Sequence, residues 1–202
     1  MWDLLVKEVR GALKEHGWKL RIYNDKKYLK SKDANGICDE EEKTISLAVK
    51  GKGERDRIGL LAHEFAHFLQ AKTMSKKAIK KVDEAYMGYA EFEDGKLSDA
   101  KKISETRKGV IDYEYDAELR AYHWMQAHGY EFKDYARKAN SYNLILRYYF
   151  ETRHFITSYK QRDRIEKALK VSREWLTSRK RRARLSRKEK SIIKKILSEK
   201  QN

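Results

Sequence analysis

The chain has 202 residues, with 47 Lys and Arg against 31 Asp and Glu and a formal net charge of +16. This length allows one domain with a sizeable core and a small appendage. No apolar run approaches the about 18 residues of a membrane-spanning helix, so we expect no membrane partner. The charged N-terminal segment excludes an ordinary signal peptide, and the single cysteine, Cys38, cannot form an intrachain disulfide. We therefore expect a cytoplasmic location.

The first 50 residues predict one helix followed by a short antiparallel sheet. Apolar residues recur at helical spacing over residues 2–16, and Gly17 is the expected end of that helix. The alternation of apolar and polar residues over 18–23 predicts a strand. Residues 36–39 and 44–49 predict a hairpin about an acidic turn. Its core-facing side chains are expected to be Ile45, Leu47 and Val49.

The segment His63-Glu64-Phe65-Ala66-His67 contains H-E-x-x-H, a known zinc-protease signature. A helix has about 3.6 residues per turn, so His63 and His67 lie on one face and both can bind one metal ion. Glu64 is offset by one position, where it can take a proton from a water on the metal. Ordinary histidines on a helix are the alternative. The surrounding apolar residues favour a buried metal helix instead, and they recur at helical spacing at Ile58, Leu61, Ala62, Phe65, Phe68 and Leu69.

A third protein ligand is needed if a fourth zinc position is to stay open for water. The helical segment 113–121 offers Glu114, Asp116 and Glu118. On a helix Asp116 points about 160° away from Glu118, so these two cannot serve one site. We consider Glu114 and Glu118 the candidates for the third ligand, with Asp116 as the competing acidic group.

H-E-x-x-H followed by E-x-x-A-E resembles the gluzincins, and most closely the small ImmA/IrrE-type peptidases common in phages and mobile elements. The resemblance implies that zinc is bound by His63, His67 and Glu114. It also implies that Glu118 orients a ligand histidine, although the family pattern has Asp at this position.

The fold that this resemblance implies is α+β and minimally zincin-like. It has an N-terminal helix, a short antiparallel sheet, the H-E-x-x-H helix and the helix that carries the ligand Glu. We expect this domain over residues 1–130 and a helical extension over 131–202, which matches no family that we can place. Close packing of the two metal helices is expected at four alanines, Ala62, Ala66, Ala117 and Ala121.

The function that the resemblance implies is zinc-dependent hydrolysis of peptide bonds, with Glu64 as general base and a specific regulatory protein as substrate. The location would be the host cytoplasm or a virion. Strand 44–49 would border the cleft, where it either pairs with an extended substrate or is a plain sheet strand. The alternative is a nucleic-acid-associated or virion structural or regulatory protein that retains zinc without turnover.

Other residues are candidates by type alone. Residues 73–110 form either a lid over the cleft or a plain connection. His123, His154 and a tyrosine near Glu114 are candidate oxyanion donors, although residues of this kind more often serve in packing. Cys38 could mask the metal, but a lone cysteine in a strand is more often a small buried hydrophobe.

The C-terminal 43 residues, 160–202, hold most of the excess positive charge, with 17 Lys and Arg against 5 acids. The densest run is at 179–184. Ser186 to Glu189 is a capping-box pattern, and it opens a last helix whose apolar face carries Ile192, Ile193, Ile196 and Leu197. Three interpretations are open: non-specific binding of nucleic acid, binding of an acidic protein, or a solvated helix that keeps the protein in solution.

Overall fold

A computed structural model of the chain describes residues 1–30, 34–130, 133–156, 158–176 and 184–199. These residues form a mixed α+β structure with one small sheet, which confirms the predicted fold class at that level. None of the helices in these ranges is long and apolar enough to span a membrane. The elements in chain order are α1 (Trp2–Glu15), β1 (Lys19–Tyr23), β2 (Gly36–Asp39), β3 (Thr44–Ala48), α2 (Glu54–Thr73), α3 (Lys76–Glu93), α4 (Ala100–Ala127), α5 (Lys133–Thr152), α6 (Tyr159–Ala168) and α7 (Arg187–Ser198).

Helix α1 forms where the helical spacing of apolar residues predicts it. Its buried face consists of Leu5, Val6, Val9 and Leu13. The helix ends before Gly17, whose φ of 73° lies in the left-handed region that glycine adopts without strain. The chain can therefore turn directly from α1 into β1.

The three-stranded sheet has the order β1-β3-β2 and is mixed, which corrects the predicted antiparallel sheet. The predicted hairpin is confirmed, because β2 pairs antiparallel with β3. Strand β1 pairs parallel with β3, with Lys19 opposite Thr44 and Tyr23 opposite Ala48. After β1 the chain passes to the far edge of the sheet and enters β2 there. It then returns through the middle as β3, so β1 and β3 run in the same direction.

Strand β3 is the central strand of this sheet, with β1 on one side and β2 on the other. Of the two alternatives for segment 44–49, the structure supports the plain sheet strand, because both edges of β3 already carry ladder hydrogen bonds. The predicted core positions are confirmed, since Ile45 and Leu47 are 0% exposed and Val49 is 6% exposed. The edge strand nearest α2 in sequence is β2.

The chain contacts group the protein into two units. One unit joins Met1–Ser75 with Ala117–Glu131, and the other joins Lys76–Asp116 with Phe132–Asn202. Helix α4 contributes residues to both units. The boundary that we predicted after residue 130 stays a prediction.

Within the first unit, α2 packs against the C-terminal half of α4. The four alanines expected at this contact are at most 1% exposed. The ring centroids of Phe65 and Trp124 are 5.7 Å apart, and Arg120 donates a hydrogen bond to the Thr73 hydroxyl at 3.1 Å. Glu118 of α4 lies at the face of α2 that carries the histidines, 3.3 Å from Nδ1 of His63.

Within the second unit, α7 packs its apolar face into a core of residues from α5, α6 and the segments beside them. Ile193 and Ile196 are buried there, and Ile192 and Leu197 pack partly buried against the same core. The predicted capping box is confirmed, because Ser186 and Glu189 each accept a hydrogen bond from the backbone N–H of the other. Of the predicted basic run at 179–184, residues 179–183 lie outside the described residues.

Candidate metal centre

Three side chains that the sequence predicts as metal ligands come together. One ligand atom from each of His63, His67 and Glu114 lies within 4.8 Å of the other two. His63 and His67 are one turn apart on α2, and Glu114 lies on α4. The described residues thus contain the predicted set of two imidazoles and one carboxylate.

The Nε2 atoms of the two imidazole rings face each other. His63 Nε2 and His67 Nε2 are 3.2 Å apart. The rings are perpendicular, with an interplanar angle of 90° and centroids 4.7 Å apart. Two nitrogens at about 2.05 Å from one tetrahedral zinc ion would be about 3.3 Å apart, so the observed separation suits a shared ion.

The Nδ1 atoms of both rings face oxygen atoms, at hydrogen-bond distance for His67 and at ion-pair distance for His63. His67 Nδ1 lies 2.8 Å from Gln70 Oε1, and His63 Nδ1 lies 3.3 Å from Glu118 Oε1. An amide or carboxylate oxygen has no proton to donate, so the proton of each neutral ring belongs on Nδ1. Both Nε2 atoms then present lone pairs to each other. A cation between them removes that repulsion, and this chemistry fits zinc.

The position of Glu118 is compatible with the role that the resemblance implies. Its side chain is buried and lies against Nδ1 of His63, the nitrogen on the far side of the ring from the facing pair. Contact with a carboxylate at Nδ1 holds the orientation of the His63 ring and makes the ring a more basic metal ligand. Between the two candidates for the third ligand, the geometry favours Glu114.

Glu114 has a partner that sequence reasoning missed. The Tyr86 hydroxyl on α3 donates a short hydrogen bond to Glu114 Oε1. Burial, and next the negative charge of Glu114, raise the pKa of Tyr86 well above its ordinary value. The phenol therefore stays protonated and holds one carboxylate oxygen, which leaves the other oxygen for a metal. No local sequence pattern indicates this contact, because it joins residues 28 positions apart.

Glu64, the predicted general base, is buried against the edge strand of the sheet. It is 6% exposed. A Cβ atom added to Gly36 of β2 would lie 2.7 Å from Cγ and 2.8 Å from Cδ of Glu64. Only glycine at this strand position leaves room for the side chain of Glu64 in its present place. The sequence signal was a glycine inside a strand, which often marks close approach of another group.

The remaining candidates by residue type do not join this group. His123 and His154 are both exposed, which does not suit an oxyanion donor in a closed site. Cys38 lies on β2, and burial, followed by the charge of Glu64, raises the pKa of its thiol. A raised pKa disfavours the thiolate that would bind or mask a metal.

Comparisons with known proteins identify no protein similar to this chain. A scan against protein-family models, a search of curated proteins and a search of solved structures each find no match for this chain. The arrangement of the side chains is therefore the evidence for function, and the resemblance to gluzincins rests on the motif residues.

Proposed function

We propose that this protein is a zinc-dependent peptidase that hydrolyses peptide bonds in a specific protein substrate. The observation that carries the proposal is the pair of facing Nε2 atoms, 3.2 Å apart, beside Glu114 and the buried Glu64. Two imidazoles, one carboxylate ligand and one further carboxylate are the donor set that zinc peptidases use. The resemblance to ImmA/IrrE-type peptidases supports a single regulatory substrate over bulk digestion.

His63, His67 and Glu114 would hold the zinc ion. When bound, zinc would polarise the scissile carbonyl group and acidify the attacking water. Glu64 takes the proton from that water as general base and then returns it to the leaving amine. Burial of Glu64 keeps bulk water away from this proton transfer. Gly36, which has no side chain, leaves the space that the Glu64 carboxylate occupies.

Strand β2 is the element best placed to bind substrate within the first unit. It is an edge strand of the described sheet, and its Gly36 lies against Glu64. An extended peptide that adds to this edge would form backbone hydrogen bonds whatever its side chains, so its scissile bond would lie near the general base. The central strand β3 is paired on both sides and therefore cannot pair with a peptide.

The test is Glu64→Gln, which keeps the size of the side chain and removes its basicity. We expect one zinc ion per chain by elemental analysis for both wild type and variant. Hydrolysis of a mixed library of internally quenched fluorescent peptides should be lost in the variant alone. The matched control is Glu15→Gln, an exposed residue at the end of α1, which should retain both zinc and hydrolysis. Equal hydrolysis by wild type and Glu64→Gln would refute the mechanism.

A second candidate function is a nucleic-acid-associated or virion structural or regulatory protein that retains zinc without turnover. The concentration of positive charge in residues 160–202 favours it. This candidate predicts stoichiometric zinc and no hydrolysis of any library by wild type. It also predicts that Glu64→Gln and wild type behave alike in every functional assay.

A further inference from the structure

The outer face of α7 is a stripe of exposed cations. At about 100° per residue, six of its positions fall within an arc of about 120° on the side opposite the buried isoleucines. Four of these carry positive charge and two carry hydroxyl groups, and all six are exposed: Arg187, Lys188, Ser191, Lys194, Lys195 and Ser198. We call these six residues the α7 cationic face. Its two pairs of cations are two turns apart, a distance of about 10.5 Å along the helix.

No acidic residue lies on the α7 cationic face. The two nearest acidic residues in the described sequence make other contacts. Glu189 forms part of the capping box, and Glu199 pairs with Arg164 of α6. Lys190, on the flank of the helix, pairs with Glu151 of α5. Within the described residues, the four cations of the face form no ion pair. Their charge is therefore available to an anionic partner.

A fifth cation extends this positive region at the N-terminal end of α7. Arg184 is exposed there. Burial, and next the charge of Arg184, lower the pKa of the Arg107 guanidinium on α4. Glu151 of α5 acts on Arg107 in the opposite direction, so Arg184 alone extends the positive region at this end.

The chemistry of the face matches nucleic acid better than a membrane. Helices that lie on membranes insert large apolar side chains between the lipids. The large apolar residues of α7 are instead packed in the core of the second unit. The exposed face offers only cations and small hydroxyl groups, which are the side chains that contact phosphate oxygens.

We propose that the α7 cationic face binds the phosphate backbone of nucleic acid without recognising its sequence. The inference is independent of the proposed peptidase activity, because it uses none of the residues of the metal centre. Four phosphate contacts to duplex DNA give a slope of about −3.6 in a plot of log affinity against log salt concentration. A fourfold rise in salt would then weaken this part of the affinity about 100-fold.

The experiment measures binding of the full chain to a fluorescent 20-base-pair DNA of random sequence by anisotropy at several salt concentrations. The test variant replaces four cations by glutamine, namely Arg187→Gln, Lys188→Gln, Lys194→Gln and Lys195→Gln. The control removes the same charge from exposed lysines of α3 in the same unit, whose helix surface also carries Asp83 and Glu84. It consists of Lys76→Gln, Lys77→Gln, Lys80→Gln and Lys81→Gln.

We expect the α7 variant to reduce the magnitude of the salt slope by about 3 to 4 and to weaken affinity at least about 100-fold in 0.1 M salt. The α3 control should change the slope by less than about 1. A further variant with Lys188→Arg, Lys194→Arg and Lys195→Arg keeps the charge and should bind as wild type does, which separates loss of charge from loss of folding.

Three results would overturn the proposal. In the first, the α7 and α3 variants weaken binding equally, so total charge rather than this face is responsible. In the second, wild type binds vesicles of anionic phospholipid or polyglutamate but not DNA, so the partner is of another class. In the third, wild type binds none of these probes.

Discussion

Replacing Gly36 by alanine tests whether the sheet edge positions Glu64, the proposed general base. The added Cβ would lie 2.7 Å from Cγ and 2.8 Å from Cδ of Glu64. Ordinary contact between carbon atoms is about 3.5–4.0 Å, so the Glu64 side chain must move by about 1 Å. Misplacement of this size costs about 100-fold in rate, which corresponds to about 2.7 kcal/mol of transition-state stabilisation.

Two measurements report on this displacement. We expect kcat/KM for library peptides to fall about 100-fold in Gly36→Ala, with one zinc ion per chain retained because Glu64 is not a ligand. The free energy of unfolding without zinc should fall by about 1–3 kcal/mol, since the added methyl group overpacks a buried site. This second measurement does not require peptidase activity, so it tests the contact even if the proposed function fails.

The matched control is Gly11→Ala on α1, where no atom lies within 4 Å of the added Cβ. It should leave hydrolysis unchanged and stabilise the helix by about 0.5–1 kcal/mol. Wild-type hydrolysis together with wild-type stability in Gly36→Ala would refute the reasoning, because the Glu64 side chain would then have room that the structure does not show.

Three further predictions concern the surroundings of the metal. Tyr86→Phe removes the hydroxyl group that donates to Glu114, the proposed third ligand. We expect zinc affinity, measured by competition with a chelator, to fall about 10- to 100-fold without loss of helix content. Unchanged zinc affinity would contradict this prediction. Glu118→Ala should weaken zinc affinity by a similar factor, whereas Asp116→Ala on the other side of α4 should not; equal effects would show that only overall charge matters. Cys38 should react with iodoacetamide at pH 8 at least about 10-fold more slowly in the folded chain than in urea, because burial and next the charge of Glu64 raise the pKa of the thiol. Equal rates would show an accessible thiolate.

The histidine pair was predictable from sequence because its geometry belongs to one helix. Spacing of four residues places His63 and His67 on one face, and the apolar stripe of α2 identifies the buried side. The same holds for α1 and for the capping box at Ser186, whose signals are all local. Gln70 was also within reach, since it lies three residues after His67 and so one turn along the same face.

The pairing of β1 depends on contacts that are not local, and it was therefore not predictable from the sequence. Alternation of apolar and polar residues indicates that residues 19–23 form a strand, but it does not identify the neighbouring strand. The parallel pairing with β3 depends on where the chain goes after β1. Tyr86 and Gly36 were missed for the same reason. Their roles come from contacts with Glu114 and Glu64, which are 28 residues away in each case.

The different positions of Glu114 and Glu118 relative to the histidines follow from one-turn spacing on both helices. The two Nε2 atoms on helix α2 face each other, whereas Nδ1 of His67 contacts Gln70 and Nδ1 of His63 contacts Glu118. Helix α4 carries two carboxylates one turn apart: Glu114 in the group that could hold a metal ion, and Glu118 at Nδ1 of His63. The gluzincin pattern has the shorter Asp where this chain has Glu118, yet the Glu118 oxygen still stands 3.3 Å from the ring. Shortening this side chain by one methylene group would draw the oxygen back by about 1.5 Å. The longer acid is therefore matched to the separation of α2 and α4 in this protein.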